Sequence, residues 1–176
     1  MKGKHVFVTV GTTKFDDLTR AVEEPKVLQY LYEGGFTTLV AQIGHGEHEP
    51  TFGNQTKLRC EYFRFKPTLQ DDIERADLVI SHAGAGSIME ALGKGKTLVA
   101  VVNDRLMHNH QEELASIMAE RGYMLATTPR GLADAVAQLQ EKTILPYPLA
   151  RPQAFVAVVD EEMHSIGAGG GRKLKK

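Results

Sequence analysis

Apolar and polar positions along the 176-residue chain follow two alternating periods, and their order predicts its elements. Val6-Phe7-Val8-Thr9-Val10 is a β-branched apolar run halted by Gly11, the pattern of a buried strand entering a loop. Helical spacing follows at Phe15, Leu18 and Val22 and again at Val27, Leu28 and Leu31, with Pro25 breaking the two apart. Phe36 to Ile43 predicts the second strand, Gly44-His45-Gly46 opens a polar loop running to about Thr56, and Leu58 to Phe65 predicts the third strand. Pro67 suits the first turn of a helix ending near Ala76. Strands over Asp77 to Ser81 and Thr97 to Val102 then flank a helix whose start is visible in Ile88 to Leu92. A helix from about His110 to Arg121 stops at Gly122, a short strand covers Met124 to Thr127, and Pro129 precedes a helix over Leu132 to Leu139.

Strands alternating with helices require a mostly parallel sheet covered on both faces, so the expected fold is α/β, a Rossmann-like three-layer domain. Pro146, Pro148 and Pro152 mark an extended crossing segment before a last helix carrying Phe155, Val156, Val159, Met163 and Ile166. The expected domain is therefore 1–166, and the glycine-rich basic tail 167–176 is expected to be disordered. The length suits one domain with an ordinary core.

Lys and Arg total 21 against 22 Asp and Glu, so the chain has no long-range field to attract nucleic acid or anionic lipid. Phosphate binding has to be local. Cys60 is the single cysteine, which excludes an internal disulfide and fits a free core thiol in a reducing compartment. There is no apolar run of about eighteen residues and no signal-peptide pattern, so the chain is expected to be soluble and not secreted.

In an open parallel sheet, ligands bind beyond the carboxyl ends of the strands. The fourth strand leads there into Ser81-His82-Ala83-Gly84-Ala85-Gly86-Ser87, whose glycines let backbone approach a phosphate at the start of a helix. Better-known motifs fail on this loop. A dinucleotide fingerprint needs Gly or Ala where Met89 stands, a P-loop ending at Gly95-Lys96-Thr97 would need glycine at Glu90, and Ser87 is on no Gly-x-Ser-x-Gly elbow. Ser87 and Glu90 form either a capping box or, with Glu90 one turn from a diphosphate, a ribose contact. Asn109, His110 and Gln111 either cap a helix and face water or supply polar groups to a sugar's hydroxyls. His45-x-x-His48 and His108-x-His110 lack the carboxylate or thiolate company of a zinc site, and no Asp-x-Asp pair occurs. No metal and no cofactor are expected, which leaves the helix N-terminus to carry a diphosphate's charge.

Gly11-Thr12-Thr13-x-Phe15-Asp16-Asp17-Leu18, Gln42-Ile43-Gly44, Ala76 through Ser87 and Asn109-His110-Gln111-x-Glu113-Leu114-Ala115 together resemble the catalytic subunit of the dolichol-linked UDP-N-acetylglucosamine transferase family. More distantly they are similar to the nucleotide-binding domain of the bacterial GlcNAc transferase of peptidoglycan synthesis. The resemblance implies the C-terminal half of a GT-B glycosyltransferase. It implies that Gly84, Ala85, Gly86 and Ser87 hold the UDP diphosphate and that Glu90 holds the ribose; His82 is a candidate base, but its place beside the glycine loop more naturally makes it a phosphate or backbone contact. Gln111, with Asn109 and His110, would meet the GlcNAc hydroxyls; Phe65 and Lys66 would flank the uracil; Gly11, Thr12 and Thr13 would line the cleft.

A GT-B enzyme works between two such domains, so the resemblance also implies a heterodimer with a membrane-anchored, acceptor-binding subunit at the cytosolic face of the endoplasmic reticulum. The final helix is then a candidate docking element, with packing on its own domain the alternative. The implied reaction transfers GlcNAc from UDP-GlcNAc to GlcNAc-diphosphate-dolichol with inversion, the catalytic base lying on the partner. Two other classes fit the same sheet: a nucleotide-sugar-binding module without chemistry, and a nicotinamide-dependent oxidoreductase, which the missing fingerprint disfavours.

Overall fold

The computed structural model describes residues 3–53, 56–103 and 110–148, with residues 110–112 described by their backbone alone. The expected final helix and basic tail lie outside the described residues. Among the described residues the elements run β1 (Lys4–Thr9), α1 (Asp16–Val22), α2 (Pro25–Glu33), β2 (Phe36–Gln42), β3 (Arg59–Phe63), α3 (Gln70–Arg75), β4 (Leu78–His82), α4 (Ala85–Gly93), β5 (Thr97–Val101), α5 (His110–Glu120), β6 (Leu125–Thr127) and α6 (Leu132–Gln138), so strands and helices alternate except that no helix separates β2 from β3. A single 3-10 turn, Pro129–Gly131, leads into α6.

The strands form one sheet in the order β3-β2-β1-β4-β5-β6, and every neighbouring pair is parallel. Register follows the apolar runs, Val8 pairing with Ala41 on one side and Ile80 on the other. Period-two alternation sends successive side chains to opposite faces. Val6, Val8, Leu78, Ile80, Val99 and Val101 pack beneath α1, α2 and α6, while Phe7, Val79, Leu98 and Ala100 pack beneath α3, α4 and α5. Each such fully buried Phe, Leu, Ile or Val contributes about 1.5–3 kcal/mol. β1 lies in the middle, and the chain builds outward from it first through β2 and β3, then through β4, β5 and β6. This makes β1 and β4 the point where strand order reverses, the place where such sheets leave a crevice.

Two prolines beside helix starts are placed differently. Pro67 lies before α3, which begins at Gln70 after the Thr68 hydroxyl has accepted the Gln70 N–H at 3.2 Å. Pro25 instead occupies the first turn of α2, where a missing N–H costs nothing. The third strand ends at Phe63 rather than Phe65, because the carbonyl of Arg64 is taken by the Gly44 N–H and the Gln42 amide.

Candidate functional site

At the carboxyl edge of β1 and β4, two loops meet across one imidazole. β4 is buried from Leu78 to Ser81 and ends on His82. Gly84 follows in extended backbone (φ −73°, ψ 131°) as the N-cap of α4, and the first bond inside that helix runs from the Ile88 N–H to the Gly84 carbonyl at 3.0 Å. The N–H groups of Ala85, Gly86 and Ser87 come before that bond, and no side chain caps the helix. Ala85 and Gly86 are exposed, and a β-carbon added at Gly86 would meet nothing within 4 Å. The positive end of the helix dipole therefore opens onto space an anion can enter.

The capping box weighed for Ser87 and Glu90 does not form. Gly84 turns the chain into the helix early, so Ser87 is already the third residue of α4 and Glu90 the sixth. Glu90 is exposed on the helix surface and Ser87 is half-buried near its start.

His82 is wedged between glycines. Gly11, at φ +63°, turns the loop after β1, and a β-carbon there would come within 2.6 Å of His82 Cε1. A β-carbon at Gly84 would collide with Nε2 of the same ring. Only glycine on both sides leaves room for the imidazole. Its Nδ1 is buried without a hydrogen-bond partner among the described residues. Burial pushes the ring's pKa below the usual histidine value, an effect that the nearby Thr9 backbone opposes only in part. His82 is thus neutral near pH 7, and Nε2 is the ring nitrogen beside the start of α4.

The loop after β2 closes against the same place. Gly44 stands at φ +52°, where a β-carbon would come within 3.0 Å of the carbonyls of Gly11 and Thr13. The Thr13 hydroxyl donates to the Val10 carbonyl at 2.7 Å, while Thr12 is exposed beside it. Gln42 is 2 % exposed and reaches both neighbouring loops: Oε1 accepts from Thr9 Oγ1 (2.7 Å) and the Val10 N–H (3.2 Å), and Nε2 donates to the carbonyls of Gly11 (2.7 Å) and Arg64 (3.0 Å). Arg64 folds its guanidinium back onto the Gly46 carbonyl at 2.6 Å and the Glu49 carboxylate at 2.7 Å. His48 is lashed to α1 between Arg20 and Glu23, and its backbone N–H donates to Asp16 at 3.2 Å.

Of the other expected site residues, Phe65 is 52 % exposed and tilts against His45 with ring centroids 4.8 Å apart, an aromatic surface at the ends of β2 and β3. Lys66 turns away to Asp72, with its Nζ 2.7 Å and 2.8 Å from the carboxylate oxygens and 4.0 Å from the Phe63 ring centroid. His110 and Gln111 open α5. Asn109 lies outside the described residues. Among the described residues no cluster of three His, Cys, Asp or Glu side chains is placed to hold a metal ion. Sequence reasoning quoted Gln42 and His45 without a role at this edge and missed Arg64; the signal available was a lone amide ending an apolar strand.

This parallel sheet, its order reversing at a glycine loop and an uncapped helix start, is that of the C-terminal half of a GT-B glycosyltransferase. Residues 5–162 match the glycosyltransferase family 28 C-terminal domain. The UDP-N-acetylglucosamine transferase subunit ALG13 of Saccharomyces cerevisiae is 32% identical over 196 residues, covering 92% of this chain and 97% of that protein. The Homo sapiens subunit of the same name is 48% identical over 129 residues, 73% of this chain, and the match spans only 11% of the human protein. An NMR solution structure of ALG13 superposes with a TM-score of 0.70 at 28% identity, covering 92% of this chain and 98% of that one. MurG of Acinetobacter baumannii shares the fold at a TM-score of 0.61 and 20% identity, over 80% of this chain and 41% of that one. The chain belongs to the glycosyltransferase family 28 C-terminal domains and, within them, to the family of UDP-N-acetylglucosamine transferase subunits.

Proposed function

We propose that this chain is the donor-binding subunit of a two-chain glycosyltransferase that moves GlcNAc from UDP-GlcNAc to GlcNAc-diphosphate-dolichol with inversion. The observation that carries the reading is the uncapped start of α4 beside His82. The diphosphate settles against the N–H groups of Ala85, Gly86 and Ser87, where helix-terminal charge interactions are worth roughly 0.3–1 kcal/mol each and up to about 2 when partly buried. His82 presents Nε2 there without adding a full charge, and Glu90 accepts from the ribose hydroxyls. The sugar lies toward Asn109, His110 and Gln111, and the uracil toward the Phe65–His45 surface. Gly11, Thr12 and Thr13 line the cleft between donor and acceptor.

The chemistry this arrangement supplies is stabilisation of negative charge on departing UDP, and it needs no divalent ion because fixed backbone donors already face the oxygens that gain charge. The base that deprotonates the acceptor hydroxyl comes from a membrane-anchored partner carrying the acceptor domain, which brings this chain to the cytosolic face of the endoplasmic reticulum. No described helix is long and apolar enough to cross a membrane, in keeping with an anchor supplied by another chain. Calorimetry and a transfer assay test the reading: the chain alone should bind UDP-GlcNAc weakly and transfer nothing, and membranes carrying the partner should restore transfer. Transfer by the purified chain alone, or tight binding with no partner-dependent activity, would overturn it.

A further inference from the structure

Gln42 has no part in the roles assigned so far, yet its amide is the most heavily used side chain at this edge of the sheet. A primary amide offers two donor hydrogens and two acceptor lone pairs, and the four bonds to Thr9, Val10, Gly11 and Arg64 fill that capacity. It sits between Ala41 and Ile43, both buried, where a polar group is tolerated only when its bonds are made. Thr9 Oγ1, which donates to Gln42, also accepts the Gly11 N–H at 3.1 Å. Gly11 is therefore held at its carbonyl by the amide itself and at its N–H by the hydroxyl the amide orients.

We propose that Gln42 is a positioning residue for the anion seat: by clamping Gly11 it fixes the wall against which His82 rests, and so the direction in which Nε2 faces the start of α4. This rests on the reading that α4 takes the donor's diphosphate. Every step of the path is a contact. The Gln42 amide holds the Gly11 carbonyl, Gly11 leaves no slack beside His82 Cε1, and Nε2 of that ring lies against Gly84, the N-cap of α4. Because Gly11 has no β-carbon and stands at positive φ, these hydrogen bonds, together with those from Thr13 to the Val10 carbonyl, keep the turn from shifting and letting the ring rotate. No other side chain of this size does the same: glutamate loses both donors, and methionine loses all four bonds.

Full-length Gln42→Met, Gln42→Glu and Thr9→Val test this against Ile73→Val, a core change on α3 that touches none of these hydrogen bonds. Three readouts are taken on each: thermal midpoint, UDP-GlcNAc affinity by calorimetry, and the His82 imidazole resonances and their titration by NMR. Gln42→Met and Gln42→Glu should move the His82 resonances and weaken UDP-GlcNAc binding by about tenfold or more, the scale of lost hydrogen bonds. Thr9→Val should act in the same direction by about threefold, and it carries the test if the Gln42 variants do not fold. Ile73→Val should lower the midpoint and leave His82 and affinity at wild-type values. A folded Gln42 or Thr9 variant with wild-type His82 resonances would overturn the proposal. If the wild-type chain and its partner take up no UDP-GlcNAc, the functional reading fails, while the His82 resonances still decide whether Gln42 positions the ring.

Discussion

Gly11 and His82, far apart in sequence, approach so closely that a β-carbon on the first would come within 2.6 Å of Cε1 of the second. The contact exists because β1 and β4 are parallel neighbours, Thr9 pairing with Ser81, so that the next turns of both strands emerge side by side. Gly11→Ala should cost about 1–3 kcal/mol, from left-handed backbone and from displacement of the ring. Urea unfolding followed by UDP-GlcNAc titration checks it, with loss of binding expected even where the variant is fully folded.

Glu90→Ala separates capping from binding. Glu90 is exposed and caps nothing, so unfolding free energy should change by no more than about 0.5 kcal/mol. UDP affinity should fall by about 1.5–3 kcal/mol, the worth of hydrogen bonds to a charged group. An unchanged UDP affinity would remove Glu90 from the site.

Burial of His82 makes stability depend on pH. Its folded pKa lies below the ordinary value of 6.5. Above that value the ring is neutral in both folded and unfolded chains and contributes no pH dependence. As pH falls through 6.5 toward the folded pKa, the unfolded chain takes up the proton first, so stability is lost across that window. Urea unfolding between pH 7.5 and 5 should show a steeper decline for wild type than for His82→Asn.

Cys60 should be inert. Burial pushes its thiol pKa up to about 11, so little thiolate exists near neutrality. Labelling by a maleimide at pH 7 should proceed at least about tenfold faster in denaturant than in buffer. Equal rates would mean that the edge strand β3 is open in solution.

The strands were legible because Val6 to Val10, Phe36 to Ile43 and Thr97 to Val102 are runs that only a doubly covered sheet can bury. Glycines between Gly84 and Ser87 likewise pointed to the loop from which α4 starts. What the sequence did not display is set by contacts between distant residues. Ser87 and Glu90 have capping-box spacing, but the wedge of His82 against Gly84 turns the chain into the helix three residues sooner. Lys66 follows an exposed aromatic, yet Asp72 on the next helix claims it. Gln42 sits in a family-like motif, while its partners Thr9, Gly11 and Arg64 come from β1 and from the loops after β1 and β3. Spacing reports neighbours within an element; it is silent on which loops the sheet brings edge to edge.

Because the proposed anion seat straddles β1 and β4, it cannot form in any half-formed domain: the first strand with β2 and β3 makes one wall, and the later strands make the other. A bound nucleotide would thus act as a staple across the molecule's central seam. At a concentration 100-fold above its dissociation constant it would add about 2.7 kcal/mol to the stability of the whole domain.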